Sequence, residues 1–225
     1  MKQDYQKLYK TLCYTFTNKE YLFTALTHRS VGMPNNERLE FLGDSLLGYI
    51  VAEALFQRFP TATEGELTRL RASLVKGETL AEIAQDLNVG QYLRLGGGEL
   101  KSGGWRRAST LADALEAIIG AVYLDSSMEE CRRVVLLLLD KRLKAVSPKK
   151  MVKDPKTRLQ EYLQSKQQTL PTYEVLSIDG EAHAQNFEVE CVIPVLPRPT
   201  YGRGESRRRA EQAAAAKALS ILKNA

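Results

Sequence analysis

The sequence predicts a multidomain protein, an all-helical domain followed by a small α+β module, and three observations predict it. Apolar residues recur at three- and four-residue spacings from Leu8 to about Ala145, with almost no alternating stretches. The stretch Ser147-Pro148-Lys149-Lys150-Met151-Val152-Lys153-Asp154 carries no apolar period and reads as a linker. Beyond it the period changes: Phe187, Val189, Cys191 and Ile193 alternate with Glu188, Glu190 and Val192, the pattern of a strand with one buried face. The expected division is a helical domain over residues 1–146, a linker over 147–154 and an α+β module over 155–225.

Along the helical part, Thr63-Glu64-Gly65-Glu66 has capping-box spacing ahead of Leu67, Leu70 and Leu74, and Lys76-Gly77 is expected to close that helix. Thr110 stands three residues before Asp113 and is expected at the head of an apolar helix. The run from Val134 to Leu139 reads as core. After the linker, residues 156–167 read as a helix, 173–178, 187–193 and 199–203 as strands, and the alanine-rich 207–222 as a closing helix. The order is α-β-β-β-α.

Composition narrows the function. With 44% hydrophobic and 26% charged residues the chain has material for a sizeable core, which excludes a disordered or fibrous protein. No apolar run approaches the ~18 residues of a membrane helix. Charge near the N-terminus, at Lys2, Asp4 and Lys7, stands where a secretory signal would be apolar, so the cytoplasm is the expected location. Cys13, Cys131 and Cys191 are far apart and read as unpaired thiols. The net charge of +5 is local: residues 1–146 hold 19 Lys and Arg against 18 Asp and Glu, while Arg203, Arg207, Arg208 and Arg209 cluster near the C-terminus. A polyanion is the expected partner of that patch.

The most informative stretch is Asn36-Glu37-Arg38-Leu39-Glu40-Phe41-Leu42-Gly43-Asp44-Ser45-Leu46-Leu47-Gly48. At about 100° per residue, Glu37, Glu40 and Asp44 fall within about 60° of one another, and Gly48 continues the stripe. Leu39, Leu42, Leu46 and Ile50 take the opposite face while Phe41 and Leu47 flank the acids, so this helix is apolar nearly all round and reads as buried. A second helix repeats the design, with Asp113, Glu116 and Gly120 on one stripe. Gly48 and Gly120 are the expected points of close approach. Glu40, Asp44, Asp113 and Glu116 brought together, without His or Cys, suit a hard divalent cation, most naturally Mg²⁺, and phosphate substrates. Composition alone also admits an all-helical nucleotide pyrophosphohydrolase. The glycines of Gly96-Gly97-Gly98-Glu99-Leu100-Lys101-Ser102 do not make a phosphate loop, because Leu100 stands where glycine is required before the lysine, and no nucleotide cofactor is expected. The stretch up to Gly104 reads instead as a flexible connector beside the cleft, with Trp105 packing and His28 making a structural hydrogen bond.

Residues 36–45 resemble the signature motif of the ribonuclease III family. Leu26-Thr27-His28-Arg29-Ser30, Glu64-Gly65, Leu95-Gly96, Leu100-Lys101-Ser102-Gly103-Gly104 and residues 113–121 are similar, in order, to the rest of that nuclease domain, and the tail is similar to a double-stranded RNA binding domain. The resemblance implies that Glu40, Asp113 and Glu116 hold Mg²⁺, with Mn²⁺ as an alternative. It implies that Asp44 and Glu116 are catalytic, and that Glu37 and Glu64 lie along the cleft further from the metal. It implies a cytoplasmic homodimer, joined through the nuclease domain, that cuts double-stranded RNA to 5′ phosphates and 3′ hydroxyls. Short 3′ overhangs and a role in processing ribosomal, messenger and transfer RNA precursors are implied as well. The competing class is a relative that grips duplex RNA without cutting, and the four retained acids argue against it.

In the tail, Glu188 and Glu190 are expected on the open side of the sheet, where they would repel phosphates and move RNA contact to helix ends and loops. Arg207, Arg208 and Arg209 open the last helix, where backbone N–H groups already favour an anion. The resemblance to double-stranded RNA binding domains adds Gln160, Glu161 and Gln164 on the first helix, and Glu181 and His183 in the loop between the first two strands. Those two regions would read minor-groove 2′ hydroxyls and the arginines the phosphates between. Glu211 stands where many such domains carry a lysine, which predicts modest phosphate affinity.

Overall fold

The computed structural model describes residues 5–148, 154–180 and 185–224. Its N-terminal part is built from α1 (Gln6–Leu12), α2 (Lys19–Ala25), α3 (Glu37–Arg58), α4 (Glu64–Val75), α5 (Gly77–Asp86), α6 (Gly97–Lys101), α7 (Ala108–Asp125) and α8 (Met128–Ala145). Single 3₁₀ turns lie at Arg29–Val31, Val89–Tyr92 and Gly104–Arg106. The C-terminal part runs α9 (Pro155–Ser165), β1 (Thr172–Asp179), β2 (Asn186–Val192), β3 (Thr200–Gly204) and α10 (Arg207–Asn224). The chain divides into two compact units, residues 1–151 and 152–225.

In the first unit, α7 is wrapped on almost every side, with Leu111, Ala114, Leu115, Ile118, Ile119 and Val122 buried. Its main partner is α3, and the two helices touch backbone to backbone. A Cβ on Gly43 would run into the Glu116 carbonyl, and one on Gly120 into the Leu39 carbonyl. Gly120 was expected at this crossing; its counterpart is Gly43 and not Gly48, around which a Cβ would meet nothing within 4 Å. The helical wheel gives the reason: Gly43 lies about 40° from Leu39, among the buried leucines, whereas Gly48 continues the acidic stripe at the edge. Nor is α3 buried all round: Phe41, Tyr49 and Phe56 are 76%, 52% and 71% exposed, in a stripe turned away from α7. Val134, Val135 and Leu139 of α8 are core, as its apolar run predicts, while Leu137 faces out.

The local signals differ in how they act. Thr63 and Glu66 form the complete capping box at α4. Lys76 ends α4, but Gly77 opens α5 and does not close its predecessor. Thr110 does not cap α7 either, because the helix begins at Ala108 and Thr110 is buried in its first turn. The glycine-rich connector is in fact ordered as α6 followed by a 3₁₀ turn, clamped by an ion pair from Arg107 to Glu99 and by an Arg107–Ser102 hydrogen bond of 3.3 Å.

In the second unit the three strands form one antiparallel sheet in the order β1-β2-β3, and α9 and α10 cover one face. Small residues let α10 sit on β3: a Cβ on Gly202 would strike the Ala210 carbonyl, and Thr200 Oγ1 donates to Ala214 O at 3.0 Å. Glu188 and Glu190 lie on the other face as expected, Glu188 accepting two hydrogen bonds from Arg203 across the strands. The entry to α9 is fixed by Asp154, whose carboxylate accepts from Thr157 N and Gln212 Nε2. Cys13 is exposed and Cys131 and Cys191 are buried, all three as free thiols.

Gly43→Ala should destabilise the protein by about 1–3 kcal/mol, because the added methyl has to push two packed backbones apart. Gly48→Ala should be neutral or stabilising by about 0.5–1 kcal/mol, since it only removes glycine's backbone freedom from a helix. Denaturant unfolding of the two variants would decide, and equal effects would show that the crossing tolerates a side chain.

Candidate active site

The crossing sets the spacing of the acids. Glu40 lies one turn before Asp44 on α3, Asp113 and Glu116 lie about one turn apart on α7, and Gly43 and Gly120 draw the two helices together beside them. One carboxylate oxygen each from Glu40, Asp113 and Glu116 lies within 4.8 Å of the others. All three side chains are half-buried, and Asp44 is exposed at the rim.

Three anions so placed repel one another. Glu116 suffers most: burial, then the charges of Asp44, Glu40 and Asp113, push its carboxyl up to about 7. Burial raises Glu40 as well, followed by Asp113, Glu37 and Asp44, with Arg29 acting the other way. Asp113 is raised by burial against the pull of His28 and Arg29. Local cations thus offset the charge only in part. Oxygen ligands of this kind, under-compensated and close together, fit a hard divalent cation.

Glu40 and Asp113 of the cluster line a polar cavity of about 460 Å³ whose walls also include Glu37, Glu99, His28, Arg29 and Arg107. Backbone pairing holds this wall. His28 N donates to Arg94 O at 3.0 Å, Arg94 N to Leu26 O at 2.8 Å, and the buried Asn36 N to Thr27 O at 2.9 Å just before α3 begins. His28 makes the expected structural hydrogen bond, its Nδ1 accepting from Ser30 N at 3.2 Å and lying 2.8 Å from Ser30 Oγ, and Ser30 Oγ accepts from Gly96 N at 2.9 Å. Glu37, at the cavity mouth, pairs with Arg29 at 3.7 Å. Glu64 is not among the lining residues: it stands at the start of α4, accepting from Thr68 at 2.7 Å, beside an apolar pocket formed with Tyr49 and Phe56. The clamp of Arg107 on Glu99 escapes a reading of sequence, because nothing in a glycine-rich stretch marks which cation will fold back on it.

In the second unit, Gln160, Glu161 and Gln164 are exposed on the face of α9 opposite Leu159 and Leu163. Glu181 and His183 lie outside the described residues. The arginines carry acids of their own: Arg207 pairs with Glu211 at 3.0 Å, Arg209 with Glu205 at 2.5 Å, and Arg203 with Glu188 at 3.0 Å. Glu211 also takes Lys156 at 2.6 Å, so the residue that departs from the common lysine holds α9 to α10.

A nuclease-like helical unit followed by an α-β-β-β-α module is what comparison with known proteins returns. Residues 18–171 match the family model described as Ribonuclease-III-like, and residues 155–222 match the double-stranded RNA binding motif. Ribonuclease 3 of Vibrio vulnificus (strain CMCP6) is 55% identical over 224 residues, 100% of both chains. Ribonuclease 3 of Marinomonas sp. (strain MWYL1) is 57% identical over 222 residues, 99% of this chain and 98% of the relative. A crystal structure of the nuclease domain of ribonuclease III from Campylobacter jejuni, solved at 2.2 Å resolution, superposes with a TM-score of 0.61 at 42% identity, covering 65% of this chain and 100% of that one. The chain belongs to the ribonuclease III family of double-stranded RNA endoribonucleases.

Because the folded Glu116 carboxyl titrates above its ordinary value of 4.5, the stability it contributes is full below about 4.5 and is lost as pH rises through about 7. Thermal unfolding without divalent cations should therefore show a fall in Tm between pH 5 and pH 8, roughly, that Glu116→Gln reduces. An identical pH dependence in the two proteins would mean that Glu116 is not repelled by its neighbours.

Proposed function

We propose that the chain cuts double-stranded RNA with Mg²⁺, or Mn²⁺ in its place, held by Glu40, Asp113 and Glu116, and that the products carry 5′ phosphates and 3′ hydroxyls. The single observation that carries the reading is the meeting of those three carboxylates within 4.8 Å. When bound, such a cation polarises a phosphoryl oxygen, lowers the pKa of a coordinated water and offsets charge on the leaving 3′ oxygen. The residues of the chain do the rest. Glu116 has to give up the proton that its neighbours favour, so cation and proton compete there and loading improves as pH rises through about 7. Asp44, exposed beside the cluster, orients the attacking water and accepts its proton. Arg29 and Arg107, paired with Glu37 and Glu99, put guanidinium groups into the same lining as the acids, where a phosphate entering the cavity would otherwise meet only anions.

Residues 155–225 hold the duplex in this proposal, with residues 1–146 cutting and 147–154 linking the two. Gln160, Glu161, Gln164, Glu181 and His183 face minor-groove 2′ hydroxyls, and Arg207, Arg208 and Arg209 the phosphates. The work would be processing of ribosomal, messenger and transfer RNA precursors in the cytoplasm.

The active species in this reading is a homodimer with one acidic cluster per strand. Phe41, Tyr49 and Phe56 leave an apolar stripe on α3 that water does not favour, and Tyr49, Phe56 and Leu67 line an apolar pocket of about 530 Å³ beside it. Two α3 helices crossing about a twofold axis would seat Phe41 of each protomer in the pocket of the other and bring Glu64, at the pocket edge, toward the partner's acids, which gives Glu37 and Glu64 their secondary role. Two equivalent clusters facing a duplex would cut the strands with short 3′ overhangs. A Campylobacter jejuni nuclease domain that superposes at a TM-score of 0.60 has a region involved in dimer formation, which supports this arrangement.

Glu116→Gln should lower cleavage of a long RNA duplex by roughly 10³-fold or more, a barrier increase of about 4 kcal/mol, while gel-shift binding survives. A gel assay with Mg²⁺ and with EDTA checks it, and full turnover by the variant would remove Glu116 from the ligand set. Phe41→Asp should sediment as a monomer at concentrations where the unaltered protein is a dimer. Mixed dimers of unaltered and Glu116→Gln subunits should nick one strand, and double-strand breaks made by them in a single encounter would contradict one cluster per strand.

A further inference from the structure

Trp105 is the single tryptophan of the chain. Packing was the expectation for it, yet its side chain is 46% exposed, so the core does not account for it. Other exposed aromatic rings of residues 5–148 have occupations. Phe41, Tyr49 and Phe56 share the apolar stripe of α3, and the Phe23 ring lies 3.8 Å below the Arg94 guanidinium. Trp105 is on neither surface. It stands in the 3₁₀ turn two residues before Arg107, and Arg107 lines the acidic cavity.

There it edges a second, smaller cavity of about 200 Å³, whose other walls include Gln85, Asn88, Gln91 and Arg106. The Arg106 guanidinium is 5.7 Å from the indole centroid. The floor is rigid, because Gly90 lets the backbone of the second 3₁₀ turn lie directly against the Trp105 carbonyl, where a Cβ would clash. The exposed Arg106 supplies positive charge in the wall itself. A flat π surface, side-chain amides at its border and positive charge beside it together match one ligand chemistry, a nucleobase attached to phosphates. The cavity takes one planar ring but neither a helix nor a strand.

We propose that Trp105 is a stacking platform for an unpaired base of the RNA substrate, a bulged or mismatched nucleotide next to the scissile bond, and that it biases where the enzyme cuts. In a fully paired duplex every base is already stacked, so the platform engages only where pairing fails. The inference rests on the reading of the chain as an RNA nuclease and adds a site that discriminates among duplexes.

Trp105 being the sole tryptophan, its fluorescence reports on the site directly. The full chain carrying Glu116→Gln would be titrated with two duplexes longer than the roughly 16 base pairs that one RNA-binding module spans, identical except for a single bulged adenosine in one. Binding is followed independently by anisotropy of labelled RNA. The bulged duplex should quench Trp105 and bind more tightly, and a second substitution, Trp105→Ala, should remove roughly tenfold of that preference, bringing the affinity ratio near one, while Trp105→Phe retains most of it. Equal affinities and equal fluorescence with both duplexes bound would overturn the platform and leave the nuclease reading intact. Failure of the chain to bind either duplex would overturn both. Saturable quenching by adenosine monophosphate alone, unaffected by RNA, would overturn RNA as the source of the base.

Discussion

The close crossing of α3 and α7 is the constraint on which the site depends. With Gly43 against the Glu116 carbonyl and Gly120 against the Leu39 carbonyl, the helices approach nearer than any side chain would allow. At ordinary interhelical distances of 8–10 Å the carboxylate of Glu40 on one helix would stand further from those of Asp113 and Glu116 on the other, so drawing the helices in tightens the cluster. The glycines are therefore part of the site, although neither touches a substrate. They also make the arrangement rigid, because backbone packed on backbone has no rotamers to change.

Convergence of charge has a cost that the rest of the unit meets in packing. A carboxylate pushed up to about 7 is one that the folded chain would rather protonate, so at neutral pH the cluster opposes folding until a cation arrives. The counterweight lies in α7, whose apolar side chains are buried from Leu111 to Val122, and in the backbone pairing of residues 26–28 with Arg94. The same elements carry lining residues of the acidic cavity, Thr110 and Asp113 on α7 and His28 beside the paired backbone. Stability and site are built on the same elements.

How much of this was legible in the sequence follows from what each signal depends on. Periodicity and capping are local, so the helices, the three strands and the Thr63–Glu66 box were readable, and the acids could be placed on two stripes before any fold was known. Close approach is not local. Gly43 and Gly48 look alike in a string, and which of them meets α7 depends on where the buried leucines put the helix axis. Thr110 and Gly77 failed as boundary signals for a related reason: tertiary burial of α7 and direct chaining of α4 into α5 outweighed a preference of about 1 kcal/mol. Exposure of Trp105 was hidden because an aromatic residue reads as core unless its neighbours in space are known.

The arginine patch shows how a departure from a common pattern can be read physically. Arg207 leans on the largely buried Glu211 and Arg209 on the exposed Glu205, and an exposed pair such as the second is worth about 0–1 kcal/mol. On the proposed reading, phosphate therefore replaces a weak internal partner and not water alone, and each arginine gives up a little of its attraction in the exchange. Glu211 cannot simply become lysine to recover it, because it also fastens Lys156 of α9, next to Asp154 and Gln212, which join the two helices again. Holding the module together and gripping RNA hard make opposite demands on one position. The chain meets the first, and on the proposed reading the hold on RNA is then shared between the three arginines and the exposed face of α9.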